Sequence, residues 1–383
     1  MSDAIPFNKP FIVGNELTYI ERAVRLGNIA GDGEYTAKCA AFFEQQYGIP
    51  RILMTPSATA ALEMAAILCD LGPGDEVIMP SFTFVSTASA VVRCDATPVF
   101  VDIASDTLNL DAERIESAIT SRTKAIWPVH YGGVACQMDT IMEIARRHDL
   151  LVVEDAAQGV GASYRDQPLG SIGDLGAYSF HETKNIICGE GGALCINRPD
   201  LIARAEIIRD KGTNRKEFFR GSVDKYSWVD IGSSYVPNEI SCAFLYAQLE
   251  QINRIHQRRQ EIYERYWQAF ADLEADQRLR RPWIPSDCQS SSHMFYLLLP
   301  DNASREALRQ HLVDQGIRAV IHYVPLHSSK MGQQVGRPHG DLYHTTDLSD
   351  RLLRLPMYFE LSHAQQDRVI DATRDFFESS PPG

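Results

Sequence analysis

Three consecutive stretches decide the fold: Lys124-Ala-Ile-Trp-Pro-Val-His130, Met138-Asp-Thr-Ile-Met-Glu-Ile-Ala-Arg-Arg-His148 and Leu151-Val-Val-Glu-Asp155. The first and third are short apolar runs that read as strands. The middle one repeats apolar residues at helical spacing. Strand, helix and strand in succession make a crossover unit, which sets its strands parallel and covers both faces of the sheet. The alternation continues outward. Arg51-Ile-Leu-Met54, Glu76-Val-Ile-Met-Pro80 and Pro98-Val-Phe-Val-Asp102 read as strands, and Val85-Ser-Thr-Ala-Ser-Ala-Val-Val92 as a small-residue helix. The class is α/β with a largely parallel central sheet.

Towards the other end the texture changes. A charged helical pattern runs from about Gln251 to Arg265, followed by a strand at Met294–Leu299 and a helix at Ser304–Gln315. A strand at Arg318–His322 and an amphipathic helix from about Ala364 to Phe377 complete this part. The expected division is a large α/β domain over 1–250 and a smaller α+β domain over 251–383. A length of 383 residues suits two to three domains.

Composition narrows the function. Hydrophobic residues are 44% and charged residues 23%, the values of a globular chain with a sizeable core. The net charge of -13 removes the bulk electrostatic footprint of a nucleic-acid binder. An anionic ligand must therefore be held by a few local groups against the overall field. The eight cysteines form no C-x-x-C pair, and several sit in apolar runs, so they read as small buried thiols. The N-terminal residues lack the basic and apolar regions of a secretion signal, and no apolar stretch approaches the ~18 residues that span a bilayer. The expectation is a cytoplasmic protein with no membrane or nucleic-acid partner.

In doubly wound sheets, ligands bind beyond the carboxyl ends of the strands. Thr55-Pro-Ser-Ala-Thr-Ala-Ala-Leu62 opens a helix there, a seat for phosphate with hydroxyls from Ser57 and Thr59. Ser and Thr are also ordinary helix caps, so this signal is weak by itself. Asp155 ends a strand and Gln158 follows. Lys184 lies in Ser179-Phe-His-Glu-Thr-Lys-Asn185, with Gly189-Glu-Gly-Gly192 just beyond. A lone lysine is more often a surface charge. Together these residues supply each part that pyridoxal 5'-phosphate requires: an amine for its aldehyde, a carboxylate for its ring nitrogen, and hydroxyls with a helix N-terminus for its phosphate. Phe84 and Phe82 offer a flat apolar partner for the ring.

The chain resembles the DegT-type family of nucleotide-sugar aminotransferases, fold type I pyridoxal phosphate enzymes, from about Ile5 to Phe377. Gly31-Asp-Gly33, Pro56-Ser-Ala-Thr-Ala60, Pro80-Ser-Phe-Thr-Phe84, Glu154-Asp-Ala-Ala-Gln158, Ser179–Asn185 and Gly189–Gly192 occur in family order. His130-Tyr-Gly-Gly-Val-Ala-Cys136, Asp210-Lys-Gly-Thr-Asn-Arg215, Phe218-Phe-Arg-Gly221 and His322-Tyr-Val-Pro-Leu-His327 are similar to the branch that makes dTDP-4-amino-4,6-dideoxygalactose. The resemblance implies Lys184 as the cofactor-bearing lysine, Asp155 as partner of the ring nitrogen, Gln158 beside the ring and Phe84 stacked on it. It implies Ser57, Ala58 and Ser179 at the phosphate. In much of the family an Asn within Gly-Tyr-Asn-Tyr-Arg reaches the phosphate of the neighbouring subunit. Here the stretch is Gly232-Ser-Ser-Tyr-Val236, so Ser234 takes that place with a shorter reach, as in the galacto branch.

The implied reaction is ping-pong. L-Glutamate gives its amino group and leaves as 2-oxoglutarate. The amino group then passes to the 4-keto carbon of dTDP-4-dehydro-6-deoxyglucose, giving a galacto or gluco 4-amino-4,6-dideoxyhexose. The implied assembly is a homodimer with sites near the interface. Arg215, Arg220 and Lys225, in a basic aromatic-flanked loop, are candidates for the pyrophosphate; His181, His322, Tyr323 and His327 are the other substrate candidates. The rivals are weaker. Gly189-Glu-Gly-Gly-Ala-Leu194 is a poor dinucleotide fingerprint, no Gly-Lys pair offers a P-loop, and the histidines lack a metal-ligand spacing. A non-catalytic family member, or the 3-dehydrase branch with His in place of the lysine, is disfavoured by Lys184. Amination at another sugar position is the remaining alternative.

Overall fold

The computed structural model describes residues 4–221 and 224–379, apart from the side chains of residues 217 and 219. Among the described residues the central sheet has eight strands. Across it lie β1 (Arg51–Thr55), Gly192–Ile196, Leu175–Ser179, β5 (Leu151–Asp155), β4 (Thr123–Ile126), β2 (Glu76–Pro80), β3 (Thr97–Val101) and the short Arg337–Pro338. Every neighbouring pair is parallel except those made by Gly192–Ile196, which runs against both its neighbours. The expected strand at 124–130 stops at Ile126. Beyond Trp127-Pro128 the pairing resumes as single contacts, with Asp155 N–H donating to the Pro128 carbonyl at 2.9 Å and His130 N–H to the Asp155 carbonyl at 3.1 Å.

Side chains alternate across the sheet, and both faces are buried. Ile52, Met54, Ile78, Val99, Val101, Ile126 and Val152 enter one core, whereas Leu53, Val77, Met79, Phe100, Ala125 and Val153 enter the other. The helices α1 (Glu16–Leu26) and α2 (Glu34–Tyr47) contribute to the first core, together with Glu239–Glu250. The helices α3 (Ala58–Leu68) and α4 (Val85–Val92) contribute to the second. Glu239 fixes the entrance to α2 by accepting from the Gly33 and Tyr35 amides at 2.9 and 2.8 Å. That carboxylate does the work of a cap at an end where the side chain of Gly33 offers none.

The long charged pattern forms the helix Ile252–Ala269. A third core, built on Ile262, Tyr266, Phe295, Leu297, Leu308, Leu312, Leu353 and Val369, gathers the C-terminal elements. Ile5 belongs to it and bridges to Ile317. The expected strand at 318–322 does not form as such, because only Val320 pairs, with Arg354. Beyond that single bridge, His322 and Tyr323 turn into a cavity. All eight cysteines are unpaired, and among the described residues no helix is long and apolar enough to cross a membrane.

Candidate active site

A cavity of about 940 Å³ opens at the carboxyl edge of the sheet. Five strands deliver residues to it at or just past their ends: Ser57 after β1, Thr83 and Phe84 after β2, Val129 and His130 after β4, Asp155 on β5 and Ser179 on its own strand. Phe7, His293, Met294, His322, Tyr323, Arg354 and Met357 close it from the other side.

At one end of the cavity lies the N-terminus of α3. Ser57 Oγ accepts from the Ala60 amide at 3.1 Å, and the first amides of the helix have no partner within it. These donors and the helix dipole suit an anion. The reversed strand reaches this point only because residue 192 is glycine. A Cβ there would lie 2.3 Å from the Ser57 carbonyl carbon and 2.4 Å from the Ala58 nitrogen. Thr59 Oγ1 bonds Ser86 Oγ at 2.7 Å, which ties α3 to α4.

Asp155 is 5% exposed. Its Oδ2 accepts from Thr87 Oγ1 at 2.7 Å and its Oδ1 from the Ala157 amide at 3.2 Å. Thr87 is in turn bonded to Thr83 at 2.9 Å, so α4 orients the carboxylate from below. Lys184 is recessed in the loop between Ser179 and Gly192. Its backbone amide donates to the His181 carbonyl at 2.8 Å, and its amine lines the cavity with no side-chain partner among the described residues. Burial pulls its pKa down to about 8, the Asp155 charge resists, and the Arg354 cation adds to the fall. Asn185 holds the loop through the Ser291 carbonyl at 2.7 Å and His293 Nδ1 at 3.0 Å.

Gln158 spans two walls: its Oε1 accepts from the Gly132 amide at 2.7 Å and its Nε2 donates to the Tyr323 hydroxyl at 2.9 Å. Gly133, at φ +75°, is the close approach that permits this, since a Cβ there would sit 2.0 Å from Ser291 Oγ and 2.7 Å from the Gln158 carbonyl oxygen. Tyr323 stacks on His322 at 3.6 Å, and His322 Nδ1 bonds the Tyr131 hydroxyl at 2.6 Å. Burial, with Arg354 nearby, pushes His322 well below its usual pKa, so the ring is neutral. Phe84 is 55% exposed at the mouth and lies 6.1 Å from the Tyr323 ring.

Ser57, Ala58, Thr59, Phe84, Asp155, Gln158, Ser179, His181, Lys184, His322 and Tyr323 all line this cavity. Five expected residues do not. His327 is taken by Ser81 Oγ at 2.7 Å. Arg220 pairs at 2.9 Å with Glu206, a buried carboxylate that also holds Arg51, and Arg215 lies 4.0 Å from Asp210. Within one chain the basic loop is thus bound to the chain's own acids and does not reach the cavity. Lys225 is exposed outside it. Ser234 lines a separate hollow of about 790 Å³ with Gly31, Asp32, Gly33 and Arg209. Thr87, His293 and Arg354 escaped the sequence reading. Thr87 carried a usable signal, a hydroxyl in the first turn of α4 four residues after Thr83 in the segment leading into it, whereas Arg354 is adjacent only through tertiary folding.

Comparison with known proteins gives the class first. DesV of S. venezuelae, solved in complex with a ketimine intermediate, has the same architecture, with a TM-score of 0.88 at 31% identity over 98% of this chain and 99% of its own. The fold is that of the fold type I pyridoxal phosphate aminotransferases, with a large, mostly parallel sheet. The model of the DegT/DnrJ/EryC1/StrS aminotransferase family matches residues 10–374, and the chain belongs to that family. It is 32% identical to the spore coat polysaccharide biosynthesis protein SpsC of Bacillus subtilis over 98% of both chains. It is 34% identical to GDP-perosamine synthase of Caulobacter vibrioides over 95% of both. The protein is a pyridoxal-phosphate-dependent sugar aminotransferase. Its cavity fits that cofactor: an unbonded amine, a buried carboxylate with oriented oxygens and an uncapped pair of helix amides stand around one space.

Proposed function

We propose that the protein transfers the amino group of L-glutamate to the 4-keto carbon of dTDP-4-dehydro-6-deoxyglucose, giving a dTDP-4-amino-4,6-dideoxyhexose and 2-oxoglutarate. It does so as a cytoplasmic homodimer. The observation that carries this reading is the Lys184 amine and the Asp155 carboxylate facing one large cavity. The branch-like motifs His130–Cys136 and His322–His327 favour the dTDP sugar.

Bound there, pyridoxal phosphate supplies an aldehyde to take up the amino group and a protonated ring that draws electrons from the carbon being deprotonated. Lys184 carries the cofactor and, once displaced, moves the proton as a neutral amine; a pKa near 8 leaves a useful neutral fraction at physiological pH. Asp155 holds the proton on the ring nitrogen, and Thr87 keeps its carboxylate in line. Ser57, Ala58 and Ser179 receive the phosphate, Phe84 covers the ring, and the Gln158–Tyr323 pair holds the opposite wall. His181, His322 and Tyr323 face the sugar. Ser234, at the edge of the second hollow, reaches the phosphate in the partner subunit.

The nucleotide is the discriminating variable, because one relative makes a GDP sugar. The same 4-keto-6-deoxy sugar is offered on dTDP and on GDP, with L-glutamate as donor. A higher kcat/KM on dTDP and a 4-amino product by proton coupling constants are expected. Preference for GDP, or an amine at another carbon, overturns the assignment.

A further inference from the structure

Behind the loop that carries Lys184 stands a short segment, Ser291–His293, whose polar groups are committed on three sides. Ser291 Oγ donates to the Gln158 carbonyl at 2.8 Å, and the Ser291 carbonyl accepts from Asn185 Nδ2 at 2.7 Å. From the helix Ile252–Ala269, Arg259, 2% exposed, donates to the carbonyls of Ser292 and His293. Asn185, next in sequence to Lys184, also meets His293 Nδ1 with its Oδ1 at 3.0 Å.

These contacts fix the tautomer of the ring. The donor end of the Asn185 amide is used by the Ser291 carbonyl, so its acceptor end faces His293 and Nδ1 carries the hydrogen. Nε2 is left as a bare acceptor. The ring is 7% exposed and lines the cavity, and among the described residues Nε2 has no hydrogen-bond partner. The charges around it are all cations: Lys184 from its loop, Arg259 from the helix and Arg354 from the strand Leu352–Arg354, with neutral His322 as a further titratable neighbour. Burial first, and then those cations, push His293 well below its usual pKa, so the ring stays neutral and takes no proton itself. The Lys184 amine is the matching half, a recessed donor without a side-chain partner on the same cavity. The carboxylate that faces it, Asp155, is already engaged by Thr87 and the Ala157 amide. A buried donor and a buried acceptor left unmade in one space are costly.

We propose that His293 is a positioning residue for Lys184: its Nε2 accepts a hydrogen bond from the amine once that amine is free, aims the amine's lone pair at the carbon being deprotonated, and stabilises the ammonium formed when the proton is taken up. The proton goes from the substrate carbon to the amine and on to the cofactor; none passes to the ring. This rests on the assignment of Lys184 as the cofactor-bearing lysine and base.

The test reads the amine directly. The enzyme is loaded with pyridoxamine phosphate, which leaves Lys184 free, and acetylation of Lys184 by trace acetic anhydride is followed across pH by mass spectrometry. His293→Asn keeps a donor for Asn185 and removes the acceptor, whereas His293→Gln returns an acceptor near the place of Nε2. An acceptor favours the charged amine, so its loss should lower the pH of half-labelling from about 8 in the wild type by roughly 1–2 pH units in His293→Asn, with His293→Gln between. The ascending limb of single turnovers, followed by cofactor absorbance, should move by the same amount. A half-labelling pH in His293→Asn equal to wild type, or an equal shift in both variants, overturns the proposal, because a merely structural histidine leaves the amine's titration alone. NMR of the ring nitrogens in wild type needs no variant to fold: hydrogen on Nδ1, with an Nε2 signal that moves when pyridoxamine phosphate replaces pyridoxal phosphate, is expected, and hydrogen on Nε2 overturns the contact. If borohydride fixes the cofactor to a residue other than Lys184, the base assignment fails instead, and the labelling of Lys184 still judges the contact.

Discussion

Lys184 and Asp155 stand in a division of labour that burial creates. The amine is brought down to about 8 by desolvation, so kcat should rise about tenfold per pH unit below that value and level off above it, where the amine is neutral. A pH–rate profile lacking that ascending limb would remove Lys184 as the base. Asp155→Asn keeps shape but loses the charge that, in the proposed role, holds a proton on the cofactor ring. Its turnover should fall by orders of magnitude, more than its cofactor affinity. Thr87→Val removes the hydroxyl that bonds Oδ2 while keeping volume. A bond to a charged group contributes roughly 1.5–3 kcal/mol, so turnover should fall about tenfold or more with the fold intact. Unchanged kinetics in Thr87→Val would mean that the carboxylate needs no orienting. Asp155 and Lys184 were legible because their residue types matched one chemistry and their places, a strand end and a loop before a glycine-rich turn, matched one edge of a sheet. Arg354 was illegible, since nothing near it in sequence marks it as a wall of the cavity.

At the scale of elements, the reversed strand Gly192–Ile196 is the one antiparallel member, among the described residues, of the largely parallel sheet that was expected. The reason is the connection: residues 180–191 form a loop with no helix to make a crossover, so the chain returns antiparallel. That hairpin brings Gly192 onto the start of α3. Gly192→Ala should push the turn off Ser57 and cost about 1–3 kcal/mol of overpacking. The expected result is weaker cofactor retention on dialysis, with near-native circular dichroism. Retention equal to wild type would mean that the turn and α3 can separate freely. The parallel crossover strands were legible from their apolar runs. The stretch 318–322 was misread as a strand because its apolar pattern serves the third core at Ile317 and Ala319, while His322 is given to the cavity.

For the whole molecule, the segment before and through Ser234 presents large apolar side chains to solvent in a single chain. Trp228 is 79%, Val229 52% and Ile231 56% exposed. A patch of that kind marks an interaction surface, and the proposed homodimer supplies the cover. Mixing a Lys184→Ala chain with one made inactive in the 232–236 segment should restore up to one working site in each hybrid dimer. Demonstrated hybrids with no regained activity would mean that each site is built within one chain. The packing also joins two ends of the sequence: Ile5 is bridged to Ile317, deep in the C-terminal core, while Phe7 and Asn8 two and three residues on help to wall the cavity. A protease cut or a bulky fusion placed just before Lys9 would therefore loosen a core more than three hundred residues away in sequence and open one side of the reaction chamber. Purification tags on this enzyme belong well ahead of Ile5 or behind the final helix.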